Sequence, residues 1–118
     1  MDNLILCLMD EEEKEKFNLN LSDNYYTYKK NNLTIGYARV NVVEPYQIYI
    51  FINADIRGNG YGTKLFSEVL NILKNNSVTQ IAIETPISNR AMVRILEHYN
   101  GKEITRYDDI AHYIVPIV

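Results

Sequence analysis

The residues most able to do chemistry sit in one stretch, INADIRGNGYGTKLF, from Ile52 to Phe66. Gly58, Gly60 and Gly62 fall between two apolar runs, and Arg57 stands directly ahead of them. Bare backbone lets an anion approach N–H groups closely, and a turn entering a helix N-terminus presents such groups together. Three phosphate-binding patterns compete with a plain glycine-rich turn. A Walker loop requires Gly immediately before Lys, but Thr63 precedes Lys64. A dinucleotide loop would use Gly58 and Gly60 but would put its third glycine at Thr63, and 118 residues are too few for the doubled fold that carries it. The pattern that survives is a pyrophosphate cradle of another kind, between a strand and a helix.

The flanking elements support that placement. NLILCLM (3–9) reads as a strand, and the polar segment 10–24 is either a short helix around EEEKEKF or a loop. NYYTYKK and LTIGYARVNVV form a hairpin through Asn31-Asn32, both able to take positive φ. Glu44-Pro45 breaks the second strand, and YQIYIFIN (46–53) is a further, nearly continuous apolar strand. Leu65, Phe66, Val69, Leu70 and Leu73 recur at helical steps, so 61–75 is an amphipathic helix. TQIAIE (79–84) is a strand ended by Pro86. Ser88 or Asn89 caps a second helix that presents Met92, Ile95, Leu96 and Tyr99 and stops at Asn100-Gly101. KEITRY and IAHYIVPIV are closing strands joined by Asp108-Asp109. The order predicts an α+β domain over 1–118. Its sheet is mixed and mostly antiparallel, with a central parallel pair at the strand–helix–strand crossover and helices on its faces.

Composition narrows the class. The length suits one domain and one core. A net charge of −3 argues against a nucleic-acid partner. The acidic run Asp10–Glu13 reads as a solvated segment. Cys7 is the only cysteine, so an internal disulfide and a cysteine zinc cluster are excluded. The run LILCLM is too short to span a membrane and is a poor signal peptide, so the expectation is a soluble cytoplasmic protein without a membrane partner. His98 and His112 lack metal-ligand spacing and read as surface or strand residues; no metal is expected.

IFINADIRGNGYGTKLF resembles motif A of the GNAT superfamily of acyl-CoA-dependent N-acetyltransferases. Arg57, Gly60 and Gly62 fill its core positions, and INADIRG is similar to its lead-in, with Ala54 where proline is common. IETPISNRAMVRILEHYNGKEI resembles the strand and helix that follow, with Asn89 at the family's asparagine; the likeness covers roughly 25–118. The resemblance implies that the pyrophosphate of acetyl-CoA rests on the amides of Gly58, Asn59, Gly60, Tyr61, Gly62 and Thr63. It implies that the pantetheine arm pairs like a strand with Ile50, Phe51 and Ile52, and that Asn89 bonds that arm.

It also implies a direct transfer of acetyl to a primary amine. The N–H of Ile52 is the implied oxyanion donor and Glu84 the implied base. Leu96 stands where many members carry a tyrosine acid, and Tyr99, one turn further on, is the substitute. The two helices that usually line the acceptor site are replaced by the short segment 10–24. The alternative is an acyl-CoA-binding module without turnover, used for regulation or assembly. The acceptor is expected to be a small-molecule or peptide amine, with the acidic balance favouring a cationic one. The apolar tail YIVPIV suits a last strand and is also compatible with a homodimer interface.

Overall fold

The computed structural model describes residues 4–41, 47–53 and 57–118. The expected break at Glu44-Pro45 and the lead-in around Ala54 lie outside the described residues. The elements run β1 (Leu4–Leu8), α1 (Glu11–Lys16), β2 (Asn24–Lys30), β3 (Leu33–Asn41), β4 (Gln47–Ile52), α2 (Tyr61–Asn75), β5 (Gln80–Pro86), α3 (Arg90–His98), β6 (Lys102–Tyr107) and β7 (Ile110–Pro116). One sheet holds all seven strands in the order β1-β2-β3-β4-β5-β7-β6. Every neighbouring pair is antiparallel except β4 and β5. This is the predicted mixed sheet with a central parallel pair. None of the described helices is long and apolar enough to cross a membrane.

Local chemistry explains the turns. Asn31 and Asn32 take φ of 51° and 69°, and Asp108 and Asp109 take 50° and 62°. Two consecutive positive φ values are the type I′ geometry that suits the right-handed twist of a hairpin, and Asn and Asp tolerate it. The segment left open between helix and loop contains α1. Asp10 caps it by accepting from the Glu13 N–H at 2.8 Å, and its first turn carries Glu11, Glu12 and Glu13. Those acids suit the positive end of the helix dipole. The acidic run is not merely solvated. Glu13 pairs with Lys29 at 3.4 Å and accepts from Thr34 Oγ1 at 3.3 Å, which ties α1 to β2 and β3.

The sheet has two unlike faces. Ile48, Ile52, Ile81, Ile83 and Val115 are buried and form one core with Leu65, Phe66, Val69, Leu70 and Leu73 of α2 and Leu96 of α3. The opposite face carries Tyr25, Tyr37 and Phe51 in contact, with Phe17 after α1 placed 6.0 Å from Tyr37. Pro86 fits the end of β5 because its residue pair with Ile110 turns the missing N–H away from β7.

Gly36 in β3 sits opposite Ile52. A Cβ there would run into the carbonyl oxygen of Phe51 and lie 2.7 Å from Ile52 Cδ1. The glycine thus lets β3 approach the end of β4 closely. Gly36→Ala is expected to destabilise the protein by about 1–3 kcal/mol, the usual size of an overpacking penalty. The urea midpoint checks this; an unchanged midpoint would show that the end of β4 yields freely.

Candidate functional site

The site begins with a gap in the sheet. Among the described residues β4 and β5 pair at a single position, Gln47 with Ala82, whereas β4 pairs with β3 along its whole length. The Asn53 N–H donates to the Ile35 carbonyl at 2.9 Å. In an antiparallel ladder this fixes which residues bond across the pair. Phe51 and Tyr49 bond towards β3, so the N–H and C=O groups of Ile50 and Ile52 point to the gap. Of the three residues expected to line a strand-like ligand, two offer their backbone there. On the other side, the bond from the Ile117 N–H to the Thr79 carbonyl, 2.8 Å, sets the β5–β7 ladder in the same way. The backbone groups of Glu84 therefore also face the gap.

The glycine turn lies above this gap, at the N-terminus of α2. Gly58 and Gly60 have φ of 90° and 81°, in the left-handed region where a side chain is strained. No described residue comes within 4 Å of where a Cβ would sit at either, and the conformation itself demands glycine. Gly62 is different. Its φ is not positive, and an added Cβ would make only ordinary 3.8 Å contacts with Ile52 Cγ1 and Ile95 Cδ1. Among the described residues no contact requires glycine at this second residue of the helix, where it weakens the helix. Gly60 caps α2 with no side-chain hydrogen bond, and the first turn holds no acid. Both other helices have a side-chain cap. The end of α2 thus keeps its N–H groups and its positive dipole for something else.

Arg57 reaches back rather than out. Its Nε donates to the Ile52 carbonyl at 2.9 Å, and its guanidinium lies 5.6 Å from the Phe51 ring centroid. It fastens the turn to the end of β4 and takes the carbonyl that Ile52 turns to the gap, leaving the Ile52 N–H. Tyr61 is held from β2, where Lys30 Nζ donates to its hydroxyl at 2.7 Å; Lys64 Nζ lies 5.9 Å from the same ring. Asn59 and Thr63 are exposed beside the glycines.

Asn89 caps α3, its Oδ1 accepting from the Met92 N–H at 3.2 Å. The cap uses the acceptor and spares the amide's donors. Glu84 projects from β5 on the aromatic face, and its Oε1 lies 3.3 Å from Nδ1 of His112 on β7. Tyr37 on this face is pushed above the ordinary tyrosine value by burial, with Tyr49 and Tyr25 adding and Arg39 opposing, so its hydroxyl stays neutral at physiological pH. Leu96 is fully buried in the core. Tyr99 closes α3 about three turns from Asn89, with its ring 5.3 Å from Phe66 and 5.1 Å from His98.

The structure therefore gathers Ile50, Ile52, Arg57, the glycine turn and Glu84 around one opening. Asn89 stands at the head of α3, three residues beyond the end of β5, and Tyr99 lies at the other end of that helix. Sequence reasoning missed Gly36, the backward reach of Arg57 and the partner of Glu84. A glycine inside the strand pattern of LTIGYARV signals close backbone approach and marks the first. The other two have no local signal.

A strand thus parts from its parallel neighbour and is followed by a helix that has no side-chain cap and is entered through glycines. The sequence matches the acetyltransferase (GNAT) family over residues 4–101, and the chain belongs to that family. A search of the curated proteins found no match. Solved structures share the fold. A Bacillus subtilis acetyltransferase in complex with CoA aligns with TM-score 0.81 at 13% identity, covering 98% of this chain and 100% of that one. A GNAT family acetyltransferase from Elizabethkingia anophelis with acetyl-CoA bound gives 0.76 at 16%, covering 98% and 99%. The ribosomal-protein-S18-alanine N-acetyltransferase of Escherichia coli gives 0.79 at 16%, covering 98% and 94%.

The glycines separate by substitution. Gly60→Ala is expected to cost about 1–2 kcal/mol, the penalty of a left-handed non-glycine residue. Gly62→Ala should leave stability within about 0.5 kcal/mol of the parent or raise it. Thermal unfolding of both variants tests this; equal destabilisation would mean that the fold itself needs Gly62.

Proposed function

We propose that the protein is an N-acetyltransferase that uses acetyl-CoA as co-substrate and acetylates a primary amine on a small molecule or peptide. The observation that carries this reading is the uncapped α2 N-terminus above the gap, with a glycine at position 62 that the fold does not require. Membership of the family supports it, as do fold relatives solved with CoA or acetyl-CoA.

When bound, acetyl-CoA supplies the activated acetyl group. The amides of Gly58, Asn59, Gly60, Tyr61, Gly62 and Thr63 would hold its pyrophosphate, aided by the dipole of α2. The gap-facing backbone of Ile50 and Ile52 would pair with the pantetheine arm as a missing strand would. Phe51, whose backbone is committed to β3, would support the arm through its neighbours. The Asn89 side-chain amide would donate to the arm. The Ile52 N–H, left free when Arg57 takes the Ile52 carbonyl, would stabilise negative charge developing on the acyl oxygen. Glu84 serves removal of the acceptor's proton from the aromatic face. Tyr99 is the candidate proton donor to the leaving sulfur, but its contacts with Phe66 and His98 favour a packing role, so Tyr99→Phe should change kcat less than about threefold, far below the usual general-acid contribution.

One observation favours a second reading. Leu96 is fully buried and cannot protonate a leaving group, as a binding module without turnover would also show. Calorimetry and thiol release decide. Acetyl-CoA is expected to bind the parent, and Gly62→Ala to weaken binding about tenfold or more while the fold stays intact, because the methyl group makes only ordinary 3.8 Å contacts with Ile52 and Ile95 yet removes bare backbone that a ligand could approach. No heat at near-millimolar acetyl-CoA would sink both readings. Binding without thiol release on any amine would leave the module.

A further inference from the structure

Glu84 and His112 form a cross-strand pair on β5 and β7. By the ladder just described they occupy a non-hydrogen-bonded position, where side chains approach most closely. Both point to the aromatic face, opposite the helices. Nδ1 of His112 is 3.3 Å from Oε1 of Glu84, with the two side chains 37% and 58% exposed. Among the described residues Nε2 has no protein partner. The backbone of Glu84 faces the gap, so the pair stands beside the place where the reaction proposed above would occur.

We infer that His112 is a catalytic residue: its Nε2 takes the acceptor's proton, and Glu84 holds the imidazole by accepting from Nδ1–H. The inference rests on the acetyl-transfer reading and assigns its proton step. A carboxylate on Nδ1 fixes the tautomer that leaves the Nε2 lone pair outward and stabilises the imidazolium once formed. An imidazole is also better matched to neutral pH than an ordinary carboxylate. The ammonium N–H bond breaks and an Nε2–H bond forms. The nitrogen lone pair then forms the C–N bond as the thioester C–S bond breaks, and the sulfur keeps that electron pair. A second proton leaves the nitrogen for the thiolate, and His112 returns its proton to solvent. The charged and polar groups facing His112 are Glu84 from β5 and Lys102, Thr105 and Tyr107 from β6, judged by register; Ile110 and Ile114 flank it on β7. Glu84 is the only carboxylate among them.

Two readouts test this. The chain has two histidines, so imidazole NMR resolves His112 against His98 as reference. The Nδ1–H form of His112 is expected in the parent, and Glu84→Ala should let the Nε2–H form take a larger share of the neutral ring, since the variant removes the acceptor that holds Nδ1–H. The second readout is thiol release from acetyl-CoA with spermidine, kanamycin, free amino acids and short peptides. His112→Gln should lower kcat/KM about 10²-fold or more at neutral pH with acetyl-CoA binding kept. Glu84→Ala should lower kcat in step with the loss of the Nδ1–H form while acetyl-CoA binding stays. His112→Gln activity within about threefold of the parent, or a His112 tautomer indifferent to Glu84→Ala, would overturn the assignment and leave acetyl transfer standing. A parent that binds acetyl-CoA but releases no thiol with any amine would remove the transfer reading and this role with it.

Discussion

The structure depends on the parting of β4 from β5. Each strand is fully paired on its outer side, β4 to β3 and β5 to β7, and among the described residues the two meet only at Gln47 and Ala82. Sheet twist then carries them apart. Backbone groups inside a sheet normally find a partner strand, and those left without one must be satisfied by solvent or ligand. Among the described residues the backbone groups of Ile50 and Glu84 and the N–H of Ile52 are in that position, the Ile52 carbonyl being taken by Arg57. Pro86 lies at the far end of β5, where an N–H facing the gap would have had no strand to bond. The opening is therefore produced by pairing, with both walls held rigid from outside. α2 follows β4 and α3 follows β5, so both helices begin beyond the same end of the parallel pair.

How much of this could be read beforehand differs by residue. The span of α2 was legible because five apolar residues at helical steps leave no other arrangement, and the glycines ahead of it declare their positive φ. The hairpin turns at Asn31-Asn32 and Asp108-Asp109 were legible for the same local reason. The gap was only implied. Alternation in QIYIFI shows which side chains share a face but not which strand lies beside them, and one parallel bridge looks like six in sequence. Phe51 shows the limit. The family resemblance implies a backbone lining a ligand there, yet ladder parity gives that backbone to β3. Arg57 and His112 depend on partners, Ile52 and Glu84, whose proximity the tertiary fold creates. α1 was ambiguous because six residues are too few for a period, and its stability comes from Asp10, Glu13 and the β2–β3 surface.

Net charge also proved a poor guide to the site. The chain is acidic overall, yet α2, the helix whose N-terminus faces the glycine turn, has no acid in its first turn. The acids gather instead at the start of α1, where a side-chain cap and three glutamates already complete the helix end. Lys30 and Lys64 approach Tyr61, and Arg57 lies against Phe51, so cationic side chains cluster where α2 begins. Screened by solvent, each is a weak attraction alone; added to a helix N-terminus they make one field of positive sign.

Glu84 completes the polarity. It is the sole carboxylate that β4 and β5 carry, and parity puts it on the face away from α2 and α3. Positive potential thus lies at the helix end of the opening, and negative charge lies beside it on the aromatic face. A ligand that is anionic at one end and meets an amine at the other finds matching fields without any contact being specific to it. The aromatic rings strengthen this separation. Arg39 lies over Tyr49 and Arg57 over Phe51, so both guanidiniums are drawn onto ring faces rather than into ion pairs with Glu84. The carboxylate is left to its neighbour on β7, His112. Its pairing with the imidazole therefore follows from where the sheet places the arginines as much as from the strand register.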